Sequence, residues 1–154
     1  MSSAACRLRL QARSTLLEFS GAEAVTLPVG IRDLADNILR HDPPTPAELE
    51  RAIDVFEDAL SGSRLAQAGR GALATSDAVL RSMPGLQEVV TGLTREAVEA
   101  QFQRLASRSL GTPVAEAELP AGRDFAAALL ILRECMHHLG FKSVQLEAER
   151  APEV

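Results

Sequence analysis

The sequence predicts a single α/β domain in which helices pack on a mixed β-sheet. Two observations support this class: polar and apolar residues alternate over residues 6–27, and helical patterns separated by short extended segments follow. The first strands lie close enough in sequence to form an antiparallel meander, whereas strands joined through helices pair in parallel by right-handed crossovers. The 154 residues fit one domain, residues 1–154, with a loose tail at 149–154.

The N-terminal meander is predicted from the short segments "CRLRLQA", "TLLEF" and "EAVTLPV". Ser20-Gly21 supplies a turn between the last two segments. After Gly30, apolar residues recur at three- and four-residue spacing as far as Leu39, which predicts the first helix.

The segment "RHDPPTPAELERAI", residues 40–53, predicts a sharp corner between two helices. Pro43-Pro44 ends the first helix, because a residue before proline is pushed out of the α region. Thr45 is the predicted N-cap of the second helix, with Pro46 at its first position and Glu48 closing a capping box.

The middle of the chain predicts a short strand from Ser63 onward, then a glycine-containing loop at residues 69–71, and then a helix starting near Ser76. Thr94 is the predicted N-cap of the next helix, which ends near Gly111.

The last part of the chain predicts a loop over Val114 to Pro120 and a helix from Asp124 to about Leu139. That helix is apolar nearly all round, as expected for a helix packed inside the molecule. Gly140 is the predicted C-cap, and "KSVQLEA" alternates like a final strand.

Composition and charge exclude several classes of protein. The chain has five Phe, no Trp, no Tyr and a net charge of −5, which argues against nucleic acid as a partner. The longest apolar run is far shorter than the ~20 residues that a membrane span needs. Cys6 and Cys135 do not suggest a disulfide framework, and the N-terminus does not resemble a secretory signal, so we expect a cytoplasmic protein.

Three segments resemble a known family. "AVTLPVGIRDLADNILRHDPPTPAELERAI", "LTREAVEAQFQRL" and "LPAGRDFAAALLILRECMHHLGFKSVQL" are similar to parts of the exopolyphosphatase and guanosine-pentaphosphate phosphohydrolase family. The matching positions are Leu27, Pro28, Gly30, Leu34, Asp42, Pro43, Pro44, Leu49, Arg123, Asp124, Leu139 and Gly140. The resemblance covers roughly Gln11 to Leu146 and corresponds to the C-terminal half of the family's catalytic unit.

The resemblance implies a ribonuclease-H-like fold, namely one lobe of the actin-like ATPase superfamily, whose two lobes clasp phosphates between them. The family's general base lies in the lobe to which this sequence has no counterpart. The resemblance therefore predicts no catalytic residue in these 154 residues.

The resemblance also implies two phosphate loops. The first loop of the family, three glycines followed by Ser-Thr, aligns with "QARST": Ser14 and Thr15 match, but Gln11, Ala12 and Arg13 replace the glycines. Bare backbone is needed there because N–H groups must approach phosphate closely. The second loop is matched by Gly69, Gly71 and Thr75, with Arg70 intruding. The candidate phosphate-binding residues are Arg13, Ser14, Thr15, Gly69, Arg70, Gly71 and Thr75.

Other candidate sites have simpler interpretations. Cys135 and His138 lie three apart on one helix, but that helix has a core pattern, so no metal site is predicted and a buried thiol is expected. The acidic residues are interpreted as solvated surface, namely Glu48, Glu50, Glu57, Asp58, Asp33 and Asp36.

Two functional hypotheses remain. The first is a non-catalytic lobe that self-associates or binds a partner protein, with no cofactor. The second is a phosphate-ester or polyphosphate hydrolase, or a nucleotide-binding protein, that uses Mg²⁺ and a second lobe or subunit. The departures from the glycine-rich loops favour the first.

Overall fold

The computed structural model of the chain describes residues 6–63, 71–86, 92–111 and 119–147. The elements within these ranges are, in chain order, β1 (Cys6–Leu10), β2 (Thr15–Phe19), β3 (Val25–Leu27), α1 (Ile31–Asn37), α2 (Pro46–Gly62), β4 (Ala72–Thr75), a 3₁₀ turn (Leu80–Ser82), β5 (Leu93–Thr94), α3 (Arg95–Ser109), α4 (Arg123–Leu139) and β6 (Ser143–Leu146).

The sheet is mixed, as the sequence predicts. Its strand order is β3-β2-β1-β4-β6-β5. The first three strands form an antiparallel meander. β4 lies parallel to both β1 and β6, while β5 runs antiparallel to β6 at the far edge. The carboxyl ends of β1, β4 and β6 therefore share one end of the sheet.

Helix α4 is the centre of the helical layer. It contacts α1, α2 and α3, and every residue from Phe125 to Leu132 is buried. Its apolar side chains join those of β1, β2, β4 and β6 in one hydrophobic core. The prediction of a helix packed inside the molecule is confirmed.

Three predicted helix ends are confirmed because they depend on local chemistry. The Thr45 hydroxyl accepts the Glu48 N–H, and the Glu48 carboxylate accepts the Thr45 N–H, which completes a capping box. The Thr94 hydroxyl accepts the Ala97 N–H at the start of α3. Gly140 ends α4 with a φ of 82°, in the left-handed region that favours glycine.

The first helix, predicted to continue to Leu39 with Pro43-Pro44 as its stop, instead ends at Asn37. The Leu39 N–H donates to the Leu34 carbonyl beyond that end.

The region around Ser76 differs from the prediction. No α-helix starts there; Asp77 instead caps a single 3₁₀ turn, its carboxylate accepting the Val79 and Leu80 N–H groups. A strand, β4, precedes Ser76 and follows Gly71. Three predictions fall wholly or mostly outside the described residues. They are the strand from Ser63 onward with the glycine-containing loop after it, which fall mostly on residues 64–70, the loop over Val114 to Pro120, and the tail at 149–154.

The sequence contains no apolar run long enough for a membrane span, and the helices of the structure test this prediction. Among the described residues, no helix combines the length and the apolar character needed to cross a bilayer.

Candidate functional site

The first predicted phosphate loop is the hairpin turn between β1 and β2. Leu10 pairs with Thr15, so residues 11–14 form the turn. The Gln11 N–H donates to the Ser14 carbonyl at 3.0 Å, and the Ser14 hydroxyl donates to the Gln11 side-chain carbonyl at 2.6 Å. The turn is thus closed by its own hydrogen bonds.

The start of α1 packs directly against this turn. The Ile31 N–H donates to the Gln11 carbonyl at 3.0 Å, and the Arg32 N–H donates to the Ala12 carbonyl at 2.9 Å. The first N–H groups of a helix have no partner within the helix and would otherwise be available to an anion. Here the turn itself occupies two of them, so turn and helix form one braced unit.

Arg13 is held by an acidic residue of α1. Its Nη1 lies 3.0 Å from Asp33 Oδ1, while Asp33 Oδ2 accepts the Gly30 N–H at 2.9 Å. The Arg13 side chain is 65% exposed, so the pair contributes little to stability. An incoming phosphate would have to compete with Asp33 for the Arg13 guanidinium. Asp33, expected as solvated surface, thus bridges Arg13 and the Gly30 N–H.

The matching hydroxyl residue Thr15 is buried. Its Oγ1 donates to the Val29 carbonyl at 2.8 Å. That hydrogen bond joins β2 to the segment leading into α1. The structure therefore gives the Thr15 hydroxyl a structural partner.

The predicted second loop is divided by the structure. Thr75 lies at the carboxyl end of β4, paired with Leu8, and its Oγ1 donates to the Leu8 carbonyl at 3.3 Å. Gly71 lies at the opposite end of β4, where its carbonyl accepts the Lys142 N–H. Gly69 and Arg70 lie outside the described residues. Of the two described members of this group, Thr75 reaches the end of the sheet that carries Arg13, Ser14 and Thr15, and Gly71 does not.

A shallow groove of about 200 Å³ runs along this end of the sheet. Its walls are the end of β1 and the residues after β4, namely Leu8, Arg9, Leu10, Gln11, Ser76 and Asp77. Arg9 is paired with Glu18 at 2.6 Å, and Asp77 brings a carboxylate to the groove. This combination of charges disfavours a phosphate group, because a carboxylate repels it and the lining guanidinium is already neutralised.

A cluster of side chains that was not predicted from the sequence lies on the helical layer. Glu57 of α2, Glu134 of α4 and His138 of α4 bring one ligand atom each to within 4.8 Å of one another. His138 Nε2 lies 2.9 Å from Glu57 Oε2 and 3.2 Å from Glu134 Oε1. We call these three residues the Glu-Glu-His cluster. Glu57, expected on the solvated surface, is partly exposed and also forms a hydrogen bond with His138 that the sequence did not predict.

The electrostatics of the cluster are set by burial. Glu134 is 1% exposed, and burial, reinforced by its hydrogen bond with Glu57, raises the pKa of Glu134 to about 7. The hydrogen bonds from Glu134 and His138 lower the pKa of Glu57. Of the two carboxyl groups, Glu134 therefore keeps its proton to the higher pH.

Arg133 of α4 contacts Glu134 of the cluster and is itself anchored by residues of α3. Its Nη1 lies 2.8 Å from Glu134, and its other nitrogens contact Glu99 at 2.7 and 3.1 Å. The guanidinium also lies 4.4 Å from the centre of the Phe102 ring. The Glu134 carboxylate is thus fixed by a well-anchored partner.

The two cysteines are unsuited to nucleophilic chemistry. Cys6 and Cys135 are both buried and free. Burial raises the pKa of the Cys6 thiol to about 12 and raises the pKa of Cys135 as well. Because the thiolate is the reactive form, neither is an activated nucleophile. The expected buried thiol at Cys135 is confirmed.

Comparisons with known proteins find relatives by structure. No protein-family model matches the chain, and no curated protein matches it significantly. The Aquifex aeolicus PPX-GPPA enzyme superposes with a TM-score of 0.66 at 17% identity, over 95% of this chain and 54% of that one. The fold is that of one half of a Ppx/GppA protein. The resemblance read from the sequence is confirmed at this level.

Two further solved structures agree. The type II variant crystal structure of the Aquifex aeolicus Ppx/GppA phosphatase gives a TM-score of 0.69 at 17% identity, over 95% of this chain and 53% of that one. An exopolyphosphatase-like protein gives a TM-score of 0.69 at 15% identity, over 95% of this chain and 55% of that one. The chain spans about half the length of each of these proteins, and at these identities the likeness concerns the fold.

Proposed function

We propose that this chain is a non-catalytic module with the fold of one Ppx/GppA lobe, and that it acts by self-association or by binding a partner protein. Its strand order, an antiparallel meander followed by strands parallel to β1, supports a ribonuclease-H-like lobe of the actin-like type. We take residues 1–154 as one domain. Two buried free cysteines support a reducing, cytoplasmic location.

The observation that carries the proposal is the closed turn at residues 11–14. A phosphate loop presents backbone N–H groups to its ligand. This turn has side chains in place of glycines, its carbonyls receive the N–H groups of Ile31 and Arg32, and Arg13 is paired with Asp33. Binding phosphate here would require these contacts to break.

Self-association is the second part of the proposal. In a two-lobe protein each lobe covers part of the other, and the residues described here have the fold of one such lobe, whose covering face needs a partner. Closed pairing of identical chains is the commonest way to cover such a surface in soluble proteins. We therefore infer that the chain forms a homo-oligomer. Binding of a partner protein is the other way in which this surface could be covered.

Calorimetry tests the absence of phosphate chemistry. The chain is titrated with ATP, guanosine tetraphosphate and short-chain polyphosphate in the presence of Mg²⁺, and phosphate release is followed in parallel. We expect neither heat nor turnover. Binding that is weakened in Arg13→Ala, with no change in Arg51→Ala on the exposed side of α2, would support the Mg²⁺-dependent hydrolase or nucleotide-binding alternative and overturn the proposal.

Sedimentation velocity over a wide range of protein concentration tests self-association. We expect the weight-average sedimentation coefficient to rise with concentration until the oligomer is fully formed. A monomer at every concentration would contradict the homo-oligomer.

A further inference from the structure

We propose that the Glu-Glu-His cluster, Glu57, Glu134 and His138, binds one divalent transition-metal ion, with Zn²⁺ the best match to its ligand set. The cluster belongs to α2 and α4 and is separate from the groove at the end of β1. Asp124, near the start of α4, pairs with Arg32 of α1 beside the hairpin turn, whereas His138 lies about 21 Å farther along the helix axis at 1.5 Å per residue. The inference is therefore independent of the proposed function.

The spacing of the ligand atoms suits a small ion. His138 Nε2 lies 2.9 Å from Glu57 Oε2 and 3.2 Å from Glu134 Oε1. In a tetrahedral zinc site with bonds of about 2.0–2.2 Å, neighbouring ligand atoms lie about 3.3–3.6 Å apart. The two observed separations lie within about 0.7 Å of that spacing, and all three ligand atoms lie within 4.8 Å of one another.

The ligands are carried by rigid elements. Glu134 and His138 are four residues apart on α4, which places them on one face of the helix, and Glu57 reaches them from the adjacent helix α2. Arg133 fixes the Glu134 carboxylate from the opposite side and is itself held by Glu99. Such outer contacts orient metal ligands and support affinity.

The charges of the cluster also favour a dication. Two carboxylates meet here, and one of them, that of Glu134, is 1% exposed. A divalent ion with two carboxylates and a neutral imidazole forms an uncharged group, which suits burial. Arg133 pairs with both Glu99 and Glu134, so one positive charge faces three carboxylates when Glu57 is included, and a dication balances the remaining two negative charges. The imidazole ligand favours zinc and its neighbours in the first transition row over Ca²⁺ and Mg²⁺.

Access to the cluster is open on one side. The side chains of Glu57 and His138 are 40% and 37% exposed, whereas Glu134 forms the buried wall. An ion can therefore enter from solvent, and its fourth coordination position faces water. Three protein ligands with one such position is a common zinc arrangement.

Calorimetric titration of the chelator-treated, untagged chain with zinc chloride tests the proposal. We expect one ion per chain and a higher unfolding temperature with the ion present. Glu57→Gln and His138→Gln should each weaken binding by about tenfold or more, because even the loss of an outer-shell contact has an effect of about that size. His137→Gln and Glu50→Gln, at exposed positions on the same two helices, should leave the affinity unchanged.

Circular dichroism of each variant verifies that the fold is intact. Substitution with Co²⁺ provides an independent readout, since tetrahedral cobalt absorbs visible light strongly and His138→Gln should remove that band. No uptake by the wild-type chain would overturn the proposal. So would equal affinity in the wild-type chain and the His138→Gln variant, or a loss of binding in His137→Gln equal to that in His138→Gln.

Discussion

Gly30→Ala is expected to destabilise the protein strongly, although Gly30 has no unusual backbone conformation. Its φ of −124° and ψ of −179° are accessible to alanine. The difficulty is space: a Cβ at this position would lie 2.4 Å from the Gln11 carbonyl oxygen, 2.4 Å from the Ser14 nitrogen and 2.5 Å from the Ala12 carbonyl oxygen. All three are backbone atoms, so no side-chain rotation relieves the contact.

The size of the effect follows from what must move. Overpacking a tight site costs about 1–3 kcal/mol in free energy of unfolding. Separating α1 from the turn also weakens the hydrogen bonds from the Ile31 and Arg32 N–H groups, each with a net contribution of about 1 kcal/mol. The sum is about 3–5 kcal/mol, a large part of the ~5–15 kcal/mol that stabilises a domain.

Gly62→Ala is the matched control. Gly62 is the last residue of α2, and a Cβ added there meets no atom of the described residues within 4 Å. Alanine favours the helix over glycine, so the control should be neutral or more stable by up to about 1 kcal/mol.

Urea unfolding followed by far-ultraviolet circular dichroism measures both variants, since the chain has no Trp or Tyr for fluorescence. Hydrogen exchange adds a local readout, because the Ile31 and Arg32 amides should lose protection in Gly30→Ala. A loss below about 1 kcal/mol in Gly30→Ala, or an equal loss in Gly62→Ala, would refute the packing argument.

Three other predictions use the same unfolding assay. Thr45→Ala removes the N-cap of α2 and should cost about 1 kcal/mol, whereas no loss would mean that the capping box does not contribute. Gly92→Ala should cost about 3 kcal/mol, because φ is +89° and the added Cβ would lie 2.2 Å from the Val144 carbonyl oxygen; a neutral result would contradict the tight contact of β5 with β6. For Glu134→Gln the sign depends on pH. Burial raises the folded-state pKa of Glu134 to about 7, so the wild type loses stability as pH rises from about 4.5 through 7. In chelator-containing buffer, the stability of the variant should therefore match that of the wild type near pH 5 and exceed it near pH 8. Equal stability of the two at both pH values would argue against a buried carboxyl whose pKa is raised in the folded state.

Features set by neighbouring residues were predictable from the sequence. The Thr45 capping box, the Thr94 N-cap and the Gly140 C-cap each depend on contacts within a few residues, and each is observed. The helix predicted from Ser76 was wrong for an equally local reason. Pro84 leaves room for fewer than two and a half turns after Ser76, and Asp77 caps a single 3₁₀ turn within that space.

Features that depend on tertiary contacts were less accessible. The spacing of Glu134 and His138 places them on one helix face, and this signal was present in the sequence. The third member, Glu57, lies 81 positions before His138 and reaches it only because α2 packs beside α4. Its sequence neighbours, Glu50 and Asp58, are exposed, so an acidic surface was the natural interpretation of all three.

The turn at residues 11–14 and the segment packed against it contain positions that the fold requires and positions that would matter only for phosphate binding. Gly30 belongs to the segment that carries the family resemblance, and its lack of a side chain is required by contact with the turn's backbone and not by a ligand. The packing of α1 on the hairpin therefore demands glycine at this position whether or not phosphate binds. Arg13, at the tip of the same turn, is 65% exposed and could be replaced without disturbing that contact. A chain of this fold can thus carry the matching residues at its packing positions while the turn itself no longer presents bare backbone. For this reason Gly30→Ala tests the fold, whereas Arg13→Ala in the phosphate titration tests the function.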